Sequence, residues 1–149
     1  MIEKKEIARN TMVGGFNCAQ SVFSTFAPEM GLSKKDALRV AGPFGAGMGL
    51  MGHVCGAVTG AFMTIGLKYA KTADGEDEMK ARGYQLVREF SLAFEKKHGS
   101  IHCRELIGID LSSSEGMAQA REEGVFQNKC IRYVEDAAEW VEQLLNRDE

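Results

Sequence analysis

Apolar residues recur at helical spacing along most of the chain, and no stretch of useful length alternates as a β-strand would. A first helix is predicted over about residues 2–13. A second runs from near Asn17 to about Ala27, with Cys18, Val22 and Phe26 on one stripe, and Pro28 and Gly31 end it. Ser33-Lys-Lys-Asp36 is close to a capping box and opens a short helix to about Ala41. Gly42-Pro-Phe-Gly-Ala-Gly-Met-Gly-Leu-Met-Gly52 follows, with five glycines in eleven residues. That density predicts a loop with unusual backbone angles or a close approach to a neighbouring segment.

From Val54 to about Lys71 the chain is apolar on most sides, and Cys55, Phe62 and Tyr69 recur at seven-residue intervals. Small residues (Gly56, Ala57, Thr59, Gly60, Ala61) dominate its start, as in a central helix closely packed by its neighbours. Gly56, Gly60 and Gly66 lower its intrinsic propensity, so tertiary packing must hold it. Asp74-Gly-Glu-Asp-Glu78 is predicted to open the next helix, which runs to about His98 and stops at Gly99. Cys103-Arg-Glu-Leu-Ile107 reads as a short helical turn, and Asp110-Leu-Ser-Ser-Ser114 as a turn or cap. A weaker helix is predicted over about 115–123. The last runs from about Asn128 to Leu145, with Cys130, Val134, Ala137, Val141 and Leu144 on one face. The predicted fold is all-α, a single-domain bundle over residues 1–149 of about six helices, with the Gly-rich loop before the central one.

The length suits one hydrophobic core. A net charge of −3 is too small to argue for nucleic acid or an anionic membrane surface. Residues 1–75 carry eight Lys/Arg against five Asp/Glu, and residues 76–149 ten against sixteen, an acidic excess read as solvated helix surface. Met1-Ile-Glu-Lys-Lys-Glu-Ile7 is charged where a signal peptide needs an apolar stretch. No run approaches the ~18 apolar residues of a membrane span. The expectation is a cytoplasmic protein with no membrane span. In a reducing cytosol, four cysteines argue for metal binding or reversible redox work before structural disulfides.

Those cysteines, Cys18, Cys55, Cys103 and Cys130, each fall where a helix is predicted to begin. Free backbone N–H groups and the positive end of the macrodipole favour a thiolate there. Cys55 is expected to be the most acidic, with His53 beside it. The separations of 37, 48 and 27 residues match neither zinc knuckles nor clustered ferredoxin runs. Cys18, Cys55 and Cys130 share the apolar stripes of their helices, which predicts one common pocket with Cys103 on its rim. The plainer alternative is that they are small core hydrophobes.

Val54-Cys55-Gly56-Ala57-Val58-Thr59-Gly60 contains a Cys-Gly-Ala-x-x-Gly motif. It follows a single cysteine in Phe16-Asn-Cys18-Ala19 and precedes single ones in His102-Cys103-Arg104 and Lys129-Cys130-Ile131. The order and the chain length closely resemble the redox-active family named C_GCAxxG_C_C after its four cysteines. The resemblance implies redox-active Cys18, Cys55, Cys103 and Cys130, without a substrate. The leading expectation is electron transfer or thiol/disulfide redox at one site. The four cysteines would either ligate an iron–sulfur cluster or exchange disulfides with no cofactor, and three connectivities are open. Gly56 and Gly60 would leave a helix face open beside Cys55, and His53 would stand in the outer shell. The expected partner is a redox partner protein, and a homo-oligomer is left open. The competing classes are a non-catalytic metal-binding domain, zinc included, and a helical interaction module with structural cysteines.

Other signals are weaker. Gly47-Met-Gly-Leu-Met-Gly52 satisfies Gly-x-Gly-x-x-Gly, with Asp74 downstream, but the dinucleotide fingerprint needs a preceding strand. His98 and His102 are four residues apart, with Gly99 interrupting the helix between them. Met48, Met51 and Met63 read as packing. Arg104 is close enough in sequence to stabilise a Cys103 thiolate.

Overall fold

Asn17 and Gln20 fix the start of the helix that carries Cys18. The Gln20 backbone N–H donates to Asn17 Oδ1 at 3.0 Å, and the Asn17 N–H donates back to Gln20 Oε1 at 3.0 Å. This closed capping box satisfies two free donors at once. The same side chains also tie the helix outward: Asn17 Nδ2 donates to Gly42 O at 2.9 Å, and Gln20 Nε2 to Leu38 O at 2.9 Å. The start of this helix is thereby fastened to the entry of the Gly-rich loop.

The computed structural model describes residues 2–70 and 77–147. Among them are eight α-helices: α1 (Lys4–Val13), α2 (Cys18–Phe26), α3 (Lys34–Ala41), α4 (Gly56–Tyr69), α5 (Asp77–His98), α6 (Cys103–Ile107), α7 (Ser114–Glu122) and α8 (Ile131–Asn146). The all-α bundle expected from the periodicity is the fold. The helices number eight against the expected figure of about six: α3 forms where the Ser33 cap predicts it, and the predicted turn at Cys103–Ile107 is the five-residue helix α6. Ser33 caps α3, its Oγ accepting the Asp36 N–H at 3.1 Å. The opening of α5 expected at residues 74–76 lies outside the described residues. No described helix is long and apolar enough to cross a membrane.

Helix α4 is the centre of the bundle. Its first six residues are all buried, and it packs against α2, α5 and α8. The core around it includes Val22, Phe26, Val58, Ile65, Leu86, Phe90, Phe94 and Val134. Helix α8 has the strongest separation of apolar and polar faces and closes the core against α1 and α4. Its entry corrects the sequence reading. A π-helical turn over Phe126–Cys130 runs directly into α8, so Cys130 lies inside a continuous helical stretch and not at a free N-terminus. The extra residue per turn leaves no local sequence signature, and single π-turns concentrate at functional sites.

The Gly-rich loop is a left-handed coil. Five consecutive residues, Ala46 to Leu50, have positive φ, three of them not glycine. Holding a side chain in this region costs about 1–2 kcal/mol per residue. The coil is repaid by its own backbone bonds, among them Gly49 N–H to Pro43 O at 2.8 Å and His53 N–H to Gly47 O at 3.0 Å. Gly47, at φ 71°, has no room for a Cβ, which would stand 2.6 Å from His53 N and 2.8 Å from Cys103 Cβ. Gly47→Ala is therefore expected to cost about 1–3 kcal/mol and to displace Cys103. Thermal denaturation, together with the alkylation rate of Cys103, checks both effects.

Candidate functional site

Past the coil, a short backbone bridge aligns the starts of two helices. Cys55 N–H donates to Ile101 O at 2.8 Å, Cys103 N–H to His53 O at 2.6 Å, and Arg104 N–H to Gly52 O at 3.2 Å. Val54 pairs with His102 at its centre. Cys55 is consequently the N-cap of α4 and Cys103 the first residue of α6, side by side. Cys18 comes from the first position of α2, and Cys130 from the end of the π-turn. All four line one cavity of about 660 Å³. Cys103, expected at the rim, is as buried as Cys55 and Cys130, and Cys18 keeps partial exposure. All four are free thiols. Among the described residues, no three His, Cys, Asp or Glu side chains are grouped so as to hold a metal ion.

The thiols differ in acidity, and burial decides most of the difference. Cys55 is pushed up to about 12. Desolvation is the largest cause, and the N–H groups of Ala57 and Val58, donated to its sulfur, pull the other way and lose. The helix start thus acts as expected, but burial outweighs it. Cys103 is pushed up to about 11, by burial first and by the charge of Cys130 second, with Arg104 opposing. Arg104 is itself held by Asp110, Nη2 to Oδ1 at 2.8 Å.

Cys18 and Cys130 behave as a pair. The hydrogen-bonding interaction between their thiols is the largest cause of both shifts, raising Cys18 well above the ordinary value and lowering Cys130 below it. One S–H stabilises the neighbouring thiolate, so the pair gives up its first proton readily and holds its second. Lys129 assists Cys130, while burial opposes it. The acidic thiol is thus Cys130, not the Cys55 expected from the sequence.

The other expected site residues fall in different places. Gly56 lines the cavity, where an added Cβ would stand 3.0 Å from Cys18 Cβ. Gly60 does not line it. The face expected to be open there is closed by α2, with Ala19 O 2.9 Å from the position of a Cβ. His53 is exposed and contributes only its backbone to the bridge. His102 is exposed at the cap of α6. His98 bonds Asp136, Nε2 to Oδ2 at 2.8 Å, within an aromatic cluster with Phe94, Tyr133 and Trp140.

Sequence reasoning missed Tyr133 and Arg121. Tyr133 lies one turn beyond Cys130 on the same face, lines the cavity, and donates its hydroxyl to Leu106 O at 3.2 Å. Burial first, then the charges of Cys130, Cys55 and Cys103, raise its pKa. Its helical offset from Cys130 was the available signal. The remaining walls, including Met12, Phe16, Leu106, Met117 and Phe126, come from segments far apart in sequence.

A family model described as "Putative redox-active protein (C_GCAxxG_C_C)" matches residues 16–144. The chain belongs to this family. The match spans all four cysteines and every wall of the cavity except the end of α1 and Gly15. No curated protein and no solved structure matches the chain.

The raised thiols make stability depend on pH. Unfolded, Cys55 and Cys103 lose their protons near the ordinary value of 9.0, whereas the folded chain holds them to about 12 and about 11. Between those limits the unfolded state binds fewer protons, so stability falls as pH rises. The slope is about 1.4 kcal/mol per pH unit for each thiol. Chemical denaturation from pH 8 to 11 is expected to give this decline, and Cys55→Ala to flatten it. An equal decline in the variant would remove Cys55 as its source.

Proposed function

We propose that this protein is a thiol–disulfide redox protein working through Cys18 and Cys130. The observation that carries the reading is the coupled thiol pair on the cavity wall, with Cys130 below the ordinary thiol value. A thiolate is the attacking form, and the lowered pKa of Cys130 raises the share of the pair that carries one, while the second proton stays on the partner sulfur. In the forward direction the Cys130 thiolate attacks a disulfide of the redox partner, forming a mixed disulfide and releasing one partner thiolate. The Cys18 thiol then gives up its proton and attacks the Cys130 sulfur of that mixed disulfide. This leaves a Cys18–Cys130 disulfide and a fully reduced partner. Two electrons pass to the partner, and a second dithiol returns the pair to its reduced form by the reverse steps. Cys55 and Cys103, held protonated, receive the disulfide only by exchange.

A reducing cytoplasm is the proposed setting, since it keeps the resting pair as a dithiol. The test is equilibration with dithiothreitol buffers, quenching, differential alkylation and mass mapping. A single reversible Cys18–Cys130 disulfide is expected. Another connectivity, or no disulfide at any potential, would overturn the proposal. An iron–sulfur cluster is the second reading, favoured by four cysteines on one cavity, which is one full ligand set. The sulfurs as they stand would have to close up around it. Anaerobically purified protein that is brown would favour the cluster, and colourless protein with titratable thiols favours the dithiol.

A further inference from the structure

The cavity holding the thiols is larger than a thiol exchange between proteins needs. At about 660 Å³ it falls within the range of small-molecule sites. Its walls are mainly apolar, with Phe16, Leu106, Met117 and Phe126 among them. Exposed Val13, Phe16 and Leu50 carry the apolar surface out to the rim. Among the described residues no Asp, Glu, Lys or His lines it, and the one with a permanent charge is Arg121. Arg121 is on the last turn of α7, one turn beyond Met117, so the cation and an apolar wall residue share a helix face. The ion pairs and side-chain hydrogen bonds of the described residues do not involve Arg121. Its guanidinium is an uncommitted bidentate donor at the edge of an apolar cavity.

We infer that this cavity binds a small organic molecule with an apolar body and one anionic group, a carboxylate or sulfonate paired with Arg121. The apolar body lies against the walls beside the thiols. Discrimination against neutral molecules comes from the single cation, and discrimination against polar ones from the cost of filling apolar walls with hydrated groups. The inference goes beyond the redox reading and stands on the cavity's shape and charge alone.

The test uses the reduced full chain and two fluorescent probes of similar body, 1-anilinonaphthalene-8-sulfonate and the neutral N-phenyl-1-naphthylamine. Saturable one-site binding of the sulfonate is expected. Arg121→Gln should weaken it about tenfold, the loss of one charge-assisted pair. The neutral probe should change by less than about twofold, because the apolar walls are intact. Arg121→Lys should recover part of the loss. Arg121 is exposed, so these variants leave the core untouched. Saturating sulfonate should also slow the alkylation of Cys18 and Cys130, which locates it in this cavity. Absence of binding, an equal effect of Arg121→Gln on both probes, or no protection of the thiols would each overturn the inference. The redox reading is judged separately by disulfide mapping without probe, so either can fail alone.

Discussion

Cys18→Ala is expected to raise the pKa of Cys130 and slow its alkylation at neutral pH. The slowing is about tenfold for each unit that the pKa moves. The Cys18 thiol is the largest cause of the lowered Cys130 value. With it gone, burial stands against Lys129 alone, and burial is the larger of the two. Cys18→Ser keeps a hydroxyl donor at the same place and should recover part of the shift. In the reciprocal Cys130→Ala variant, Cys18 loses the largest cause of its own rise. It should titrate lower while staying above the ordinary value, because burial remains. Both alanine variants should lose the reversible disulfide altogether. Residue-resolved alkylation rates against pH provide the measurement. An unchanged Cys130 profile in Cys18→Ala would mean that the two thiols do not act as a pair.

The sequence carried the helices well wherever a local signal set a boundary. Ser33 announced α3, the glycines announced the coil, and the unbroken apolar run after Val54 announced the buried central helix. The Asn17–Gln20 capping box has a spacing that is legible in the sequence, and it sets the start of α2. The start of the last helix is not legible in the sequence because a π-turn has no local code, and that turn places Cys130 in a helix interior where the sequence predicts a helix start. Acidity was harder still. Cys55 has the helix-start donors that the sequence promised, yet burial outweighs them, and burial is a property of the assembled bundle. The partnership of Cys18 with Cys130, separated by 112 residues, arises only when α2 and the π-turn meet. The cavity walls were out of reach for the same reason. Arg121, an ordinary surface arginine in sequence, gains meaning only from the apolar surface around it.

Gly60→Leu is expected to destabilise the fold before it changes the chemistry of the thiols. The sequence suggested an open face beside Cys55, which a bulky residue would block. That face is filled by α2: a Cβ at Gly60 would meet Ala19 O at 2.9 Å and Val22 Cβ at 3.0 Å. A backbone carbonyl cannot rotate away, so the two central helices must separate to admit the side chain. Overpacking of this kind costs about 1–3 kcal/mol and sometimes more. For a domain of this size each kcal/mol lowers the melting temperature by about 2–4 °C. Gly56→Ala provides the contrast. Its new methyl would stand 2.9 Å from Ala19 N and 3.0 Å from Cys18 Cβ, at the cavity wall itself. It should therefore shift Cys18 against Cys130 and change the alkylation profile of the pair, as well as lowering stability. Thermal melts and alkylation rates measured on both variants separate the two roles. Gly60→Leu with an unchanged melt but an altered Cys130 profile would restore the open face and refute the packing role argued from α2.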